Sequence, residues 1–455
     1  MSINTDFVAP LEAHGYRPTA KLRPRSPREI GASSWCIGCE TVDRRYVDFN
    51  AVAPYLDELG ATQVRLQAGW ARCEPNADGV YDFGWLDECV EGCIARGVRP
   101  WLQTSYGNPA YEGGGGIGLT QGIPTSHRAL AAWDAWVEAM ARRYGPSIHA
   151  WEIWNEPDHG QEPVPPADYG RLVLRTARII RGVVPEAQIF VLSMAGRSPD
   201  YAGQAMATVA EAGGVDLVTA ALFHGYPHNP DDAFDDLPDF CAAVRRHIPH
   251  ARMIQGESGA PSERNPVMAM RDFEWSPRKQ AAWDLRRMLA HHARGNAMNL
   301  FQLSDMHYRK EGGARFEGKN SKGLLDTRPD GSVFAKKPSF FMAQHVFTLF
   351  DARYPPGAHA ALPVEAPAGV TGWTWAAAGS QKPTLAAWWR SDTPPELQSP
   401  PLTTAMIADV GFEDPVLVDF LSGQVFDLPT IGQAGELPCT DVPLALAERA
   451  TLPLQ

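Results

Sequence analysis

Between about residue 25 and residue 345, short apolar runs alternate with longer stretches whose apolar residues recur every three or four positions. A chain with that texture has to place strand, helix and strand in turn, because each strand buries both faces and each helix buries one stripe. Eight runs read as strands: Ile30–Trp35, Thr62–Leu66, Arg99–Thr104, Ile148–Trp154, Gln188–Leu192, Asp216–Phe223, Ala251–Gln255 and Ala297–Leu303. Between them Tyr81–Ala95, Thr125–Tyr144, Tyr169–Gly182 and Arg278–Ala293 carry helical spacing, and Pro338–Phe350 reads as a last helix. Eight strand–helix repeats predict a closed (β/α)8 barrel in the α/β class rather than an open sheet.

The texture changes after residue 352. Pro355-Pro356-Gly357 and Pro363–Pro367 break the helical pattern, and Val370–Ala376, Thr384–Trp389, Pro415–Phe420 and Gln424–Leu428 follow as short strand-like runs between turns. The expected organisation is a catalytic barrel over 28–352 and a β-sandwich module over 353–455. Residues 1–27 form an N-terminal segment able to lend a strand to that module.

Charge and cysteine usage narrow the partners. A net charge of −12 over 455 residues argues against nucleic acid, since phosphate binding needs a basic face. No window approaches the roughly 18 apolar residues of a membrane span, and the N-terminus lacks the pattern of a secretory signal. Seven cysteines, an odd number without an export signal, read as free thiols in a reducing compartment, hence a cytoplasmic protein. Cys36 and Cys39 have redox-motif spacing and Cys89 and Cys93 sit four apart on a predicted helix, but neither pair finds the second set a metal site needs, so they read as ordinary buried thiols. Assembly into a homo-oligomer is left open.

In a (β/α)8 barrel the reactive groups stand at the C-terminal ends of the strands. Two acids fall there in distinctive company: Glu156 in Trp151-Glu152-Ile153-Trp154-Asn155-Glu156-Pro157, and Glu257 in Gln255-Gly256-Glu257-Ser258-Gly259. Glu152 belongs lower in the same strand as Glu156. Strands four and seven face each other across a barrel mouth. A carboxyl pair set there suits glycosidic-bond hydrolysis, which needs one protonated carboxyl and one ionised one.

Asn155-Glu156-Pro157 after an apolar strand resembles the acid/base signature of the clan A glycoside hydrolases. Arg65 in Val64-Arg65-Leu66 and the His224-Gly225-Tyr226 element are similar to that clan's residues after strands two and six, and Glu257 stands in the nucleophile's place. Within the clan, family 39 is the nearest resemblance. Leu300-Phe301-Gln302-Leu303-Ser304-Asp305, Gly323–Asp326 with Lys337–Phe340, and Asp419–Gly423 are similar to its eighth strand, the stretch beyond it and a turn of its β-module. The resemblance implies a retaining O-glycosidase without metal or cofactor, its substrate a carbohydrate, with Glu156 as acid/base and Glu257 as nucleophile. Asn155 would bind the sugar 2-hydroxyl, Arg65 and Tyr226 would hold the nucleophile, and His224 would line the pocket. Two positions depart from the family. Gly256-Glu257-Ser258 replaces its usual Thr-Glu-Trp, and Phe301 stands where it carries a tryptophan platform, so the family's xyloside and iduronide activities do not transfer.

Other features stay open on sequence alone. Trp35, Trp70, Trp154 and Trp275 are candidate sugar-stacking rings, with Trp35 placed in the substrate pocket. Glu112 and Gly113–Gly116 read as a mobile rim or a plain flexible loop. Asp231, Asp232, Asp235, Asp236 and Asp239 read as a calcium site or, more simply, a solvated loop. A catalytically silent carbohydrate binder and a transglycosidase with the same residues are the rival readings. A metal-dependent barrel hydrolase is weaker, for no His-x-His pair ends the first strand.

Overall fold

The computed structural model describes residues 10–13, 15–394, 402–407, 410–428 and 436–455. The start of the expected N-terminal segment, and the parts of the expected module at 395–401, 408–409 and 429–435, lie outside the described residues.

Eight parallel strands close into a barrel: β1 (Trp35–Gly38), β2 (Gln63–Gln67), β3 (Arg99–Thr104), β4 (Ala150–Ile153), β5 (Gln188–Met194), β6 (Ala220–His224), β7 (Arg252–Ser258) and β8 (Ala297–Leu300). Each is followed by a helix: α1 (Pro54–Leu59), α2 (Gly84–Ala95), α3 (His127–Tyr144), α4 (Pro166–Val183), α5 (Pro199–Glu211), α6 (Leu237–Arg245), α7 (Pro277–Ala293) and α8 (Pro338–Leu349). The helices start where the sequence provides caps. Ser126, Ser198 and Ser276 accept backbone N–H bonds at the starts of α3, α5 and α7, and proline opens α4, α5, α7 and α8. No helix among the described residues is long and apolar enough to cross a membrane.

Strand alternation divides the barrel interior into two storeys. The lower one is apolar, with Cys36, Trp101, Phe190, Leu222 and Ile254 packed as one cluster. Farther along the same strands, toward their C-terminal ends, alternate residues Arg65, Gln103, Glu152, His224 and Asn299 are polar and buried. Charge is thereby confined to the end of the barrel that opens to ligand.

The first strand differs from expectation. Ser26 caps a helical turn, Pro27–Ile30, through a reciprocal pair of bonds with Glu29, so β1 begins only at Trp35. The C-terminal end of β1 is therefore Gly38 and not Trp35, and with Cys36 facing in, Trp35 faces out. Trp35 stacks on His292 of α7 at 4.9 Å, packs on Phe347 of α8, and donates from Nε1 to the Phe350 carbonyl at 3.1 Å. This corrects its assignment to the substrate pocket.

The C-terminal strands make two antiparallel sheets. One has seven strands in the order Pro18–Lys21, Gln424–Asp427, Pro415–Asp419, Leu444–Glu448, Pro383–Arg390, Val370–Ala376 and Ala360–Ala361. The other has three, Val364–Ala366, Thr403–Ile407 and Glu436–Cys439. Pro18–Lys21 thus pairs with the second strand of the larger sheet. Trp388, Leu417, Phe426 and Leu446 fill the space between the sheets, while Trp375, Trp389, Val416 and Val418 on the opposite face join the barrel's outer core.

Trp35→Ala is expected to cost about 3–5 kcal/mol, as for a large aromatic removed from a core, measured by chemical denaturation. A loss below about 1 kcal/mol would contradict its core placement.

Candidate active site

The polar storey is organised around Arg65 on β2, whose side chain is fully buried. Its Nε and Nη2 donate to the two oxygens of Glu152 at 2.8 and 2.7 Å, and Nη2 also donates to Asn155 Oδ1 at 2.7 Å. Its Nη1 is shared between Glu40 at 2.8 Å and Glu257 at 3.0 Å. Glu152 further accepts from Gln103 and from the Ser193 hydroxyl. It is a fully buried anchor at the base of the site, whereas the Glu156 and Glu257 side chains keep 10% and 13% of their exposure.

Each oxygen of Glu257 has a donor: Oε2 takes Arg65, and Oε1 takes the Tyr226 hydroxyl at 2.6 Å. Burial alone would raise this carboxyl, but His224, Arg65 and Tyr226 outweigh it and hold Glu257 below the ordinary range. His224 Nδ1 stands between the two acids, 2.8 Å from Glu156 Oε1 and 3.7 Å from Glu257 Oε2. Burial would depress the imidazole, yet the Glu257 charge and the contact with Glu156 leave it raised. One ligand atom each from Glu156, His224 and Glu257 lie within 4.8 Å of one another. These three groups could also hold a cation, although Arg65 already supplies Glu257 with a positive partner.

The backbone at the mouth is bent to aim these groups. Trp154 and Glu156 adopt φ of 67° and 47°, as do Leu192 and Ser193 at 76° and 43° where β5 bulges against β6. Such left-handed residues cost about 1–3 kcal/mol each. They are fixed by bonds including Glu156 N–H to the Ser193 carbonyl at 2.9 Å. Asn155 is oriented at both ends, its Oδ1 on Arg65 and its Nδ2 donating to the Tyr106 hydroxyl at 2.9 Å.

Six of the eight residues singled out from sequence therefore meet here: Glu156, Glu257, Asn155, Arg65, His224 and Tyr226. Phe301 is buried beside Tyr226, edge-on at 6.4 Å between ring centres, and Trp35 is absent from the site. Trp70, Trp154 and Trp275 are buried as well, Trp70 and Trp154 both packing against Trp133. The glycine rim is tightly fitted: side chains on Gly107, Gly114 or Gly115 would meet backbone oxygens at 2.1–2.3 Å, and Asn108 N–H bonds the Gly114 carbonyl. Sequence reasoning missed Glu40, Gln103, Tyr106 and Asn299. Glu40 fits because Gly38 has no side chain; a Cβ there would lie 2.7 Å from the Glu40 carboxylate.

Outside this centre a cavity of about 500 Å³ opens among the loops after β1, β3, β4, β7 and β8, with Tyr46, Tyr308, Phe316 and Arg315 in its wall. His159, also in that wall, donates its backbone N–H to the main-chain carbonyl of Glu156 at 3.2 Å.

No family model matches this chain, and no curated protein sequence matches it. Solved structures do. A family 39 glycoside hydrolase from the gut symbiont Bacteroides cellulosilyticus WH2 superposes with a TM-score of 0.68 at 18% identity, over 92% of this chain and 82% of its own. A monomeric β-xylosidase from Caulobacter crescentus CB15 gives 0.57 at 15%, over 94% and 98%. A glucosidase from Croceicoccus marinus gives 0.56 at 13%, over 95% and 96%. The chain thus has the fold of the clan A glycoside hydrolases, and in particular the fold of those of family 39.

Glu40 yields a pH prediction. Burial, only partly offset by Arg65, pushes its carboxyl up to about 7. As pH rises from the ordinary carboxylate range to 7, the unfolded chain releases this proton and the folded one retains it, so stability falls over that window. Glu40→Gln removes the titration. Its melting temperature is expected near wild type at about pH 4 and increasingly above it by about pH 8. A difference independent of pH would contradict the assignment.

Proposed function

We propose that this protein is a retaining glycoside hydrolase that cleaves O-glycosidic bonds of small glycosides or oligosaccharides, acting from the chain end on β-glycosides. The observation that carries the reading is the spacing of Glu156 and Glu257. One oxygen of Glu156 and one of Glu257 lie within 4.8 Å of each other, which favours the ~5–5.5 Å carboxyl separation of retaining enzymes over the ~6.5–9.5 Å that leaves room for a water in inverting ones.

In the first step Glu257 attacks the anomeric carbon, the bond from that carbon to the leaving oxygen breaks, and the oxygen takes the proton of Glu156. The product is a glycosyl ester on Glu257. In the second step Glu156 accepts a proton from water, the water oxygen bonds to the anomeric carbon, and the ester bond breaks to restore Glu257. Arg65 and Tyr226 hold the attacking carboxylate ionised and aimed. His224, 2.8 Å from Glu156 Oε1, is placed to orient that carboxyl, and Asn155 offers its second amide N–H to the sugar 2-hydroxyl. The cysteines, all free among the described residues, suit a reducing, cytoplasmic setting, where small imported glycosides would be the substrates.

The test is a panel of para-nitrophenyl β-xyloside, β-glucoside, β-galactoside, β-fucoside and α-L-arabinosides, with proton NMR to read the first-formed anomer. Retention is expected, with turnover abolished in Glu257→Ala. Glu156→Ala is expected to slow activated aryl substrates least and to be rescued in part by azide. Inversion, or equal slowing of activated and unactivated substrates by Glu156→Ala, would overturn the assignment. Glycoside transfer to an added acceptor in place of hydrolysis would select the transglycosidase reading.

A further inference from the structure

Of the acidic run after β6, Asp232, Asp235, Asp236 and Asp239 are exposed, as in a solvated loop, and Asp231 is half-buried. The segment from Pro227 to Asp232 is bound at every residue. From α7, Trp283 Nε1 donates to the carbonyls of Pro227 and His228 at 3.0 and 3.2 Å, and Arg287 donates to those of Pro230 and Asp232 at 3.0 and 2.9 Å. The fully buried Arg286 pairs with Asp231 and donates to Asn229 Oδ1 at 3.2 Å. The remaining bonds cross to the β-module. Trp389 Nε1 lies 3.1 Å from both oxygens of Asp231, Asn229 Nδ2 donates to the Ser391 carbonyl at 3.0 Å, and Arg286 donates to the Asp392 carbonyl at 2.5 Å.

Tyr226, which immediately precedes this segment, holds Glu257. We propose that the β-module is a working part of the active site: Asp231, clasped between Trp389 of the module and Arg286 of α7, is a positioning residue that fixes Tyr226 against the nucleophile. Three features favour this over simple domain adhesion. Neighbours in sequence divide their duties, Trp388 filling the sandwich and Trp389 reaching the barrel. The contact falls on the loop whose root carries the Tyr226 donor to Glu257. A buried arginine is committed to it, and a buried ion pair is costly to break on one side.

The effect on rate rests on Glu257 being the nucleophile, but the clasp has a readout that needs no turnover. Glu257 is faced by Arg65, His224, Tyr106, Tyr226, Tyr308, Glu156, Glu40 and Lys322, and of these Tyr226 is the one joined directly to the clasped segment. In protein labelled with carbon-13 at the glutamate carboxyl, the Glu257 signal, assigned by its loss in Glu257→Gln, can be titrated in full-length variants. Asp231→Ala and Trp389→Phe are expected to move its midpoint upward, in the direction produced by Tyr226→Phe. In the active enzyme the acid limb of the rate profile should move with it and kcat should fall about ten-fold, the weight of one bond to a charged group, more than KM changes. Asp231→Asn, which keeps an acceptor for Trp389, should recover part of the loss. Trp389→Phe keeps an aromatic ring in place while removing the N–H donor, and decides the matter if Asp231→Ala does not fold. A lowered melting temperature with the Glu257 midpoint and acid limb at their wild-type positions would overturn the proposal, whether or not glycosides are hydrolysed.

Discussion

One guanidinium, that of Arg65, contacts three carboxylates at the mouth of the barrel, and nothing else in the site can be understood without that imbalance. A buried charge without a partner is costly, and one cation cannot satisfy three anions. The structure resolves the excess by treating each acid differently. Glu152 takes two of the guanidinium's hydrogen bonds, and Gln103 and Ser193 besides. Glu257 has Arg65, Tyr226 and the nearby imidazole, and is held ionised. Glu40 is left with a share of Nη1, a long bond from Asn299 and one oxygen without a partner, and is the acid pushed toward neutrality. Removing Arg65 would leave all three in excess at once.

The same imbalance explains why the backbone is contorted where it is. The chain leaving β4 brings Asn155 onto Arg65 and Glu156 onto His224 through positive-φ residues at Trp154 and Glu156. The neighbouring β5 bulges so that Ser193 can serve both Glu152 through its hydroxyl and Glu156 through its carbonyl. Strain of this kind persists only where surrounding bonds over-determine it. Here those bonds belong to the carboxylate network itself.

The barrel was legible in the sequence because each strand buries both faces and each helix one stripe, and that periodicity does not depend on distant residues. The C-terminal ends of β4 and β7 were legible for the same reason, and with them Glu156 and Glu257, whereas Arg65, Asn155, His224 and Tyr226 stood out through the resemblance to the clan A glycoside hydrolases. Where a local signal misled, the error spread. The first strand was read as Ile30–Trp35, whereas a capped turn ends at Ile30 and the strand begins at Trp35, so its end was set too early. The tryptophan was thereby placed in the pocket, and Glu40, two residues beyond the true end, was overlooked. Contacts between distant segments were not legible at all. Nothing near Asp231 in the chain indicates Arg286 or Trp389, so its half-buried clasp was hidden among aspartates that are exposed, and Gly114 and Gly115 looked loose because the oxygens they approach belong to Asn108 and Gly122.

The account turns on Glu257 as the group that bonds to the sugar while Arg65 and Tyr226 hold it. The most direct measurement is mass spectrometry of the protein after incubation with 2-fluoro glycosides bearing an activated leaving group, which slow release of the covalent intermediate. The predicted result is a mass increase of one fluorosugar, mapped by peptide analysis to Glu257 and absent in Glu257→Gln. A stable adduct on Glu156, on Glu40 or on Glu152, or steady turnover of natural glycosides in the Glu257→Gln protein, would contradict it.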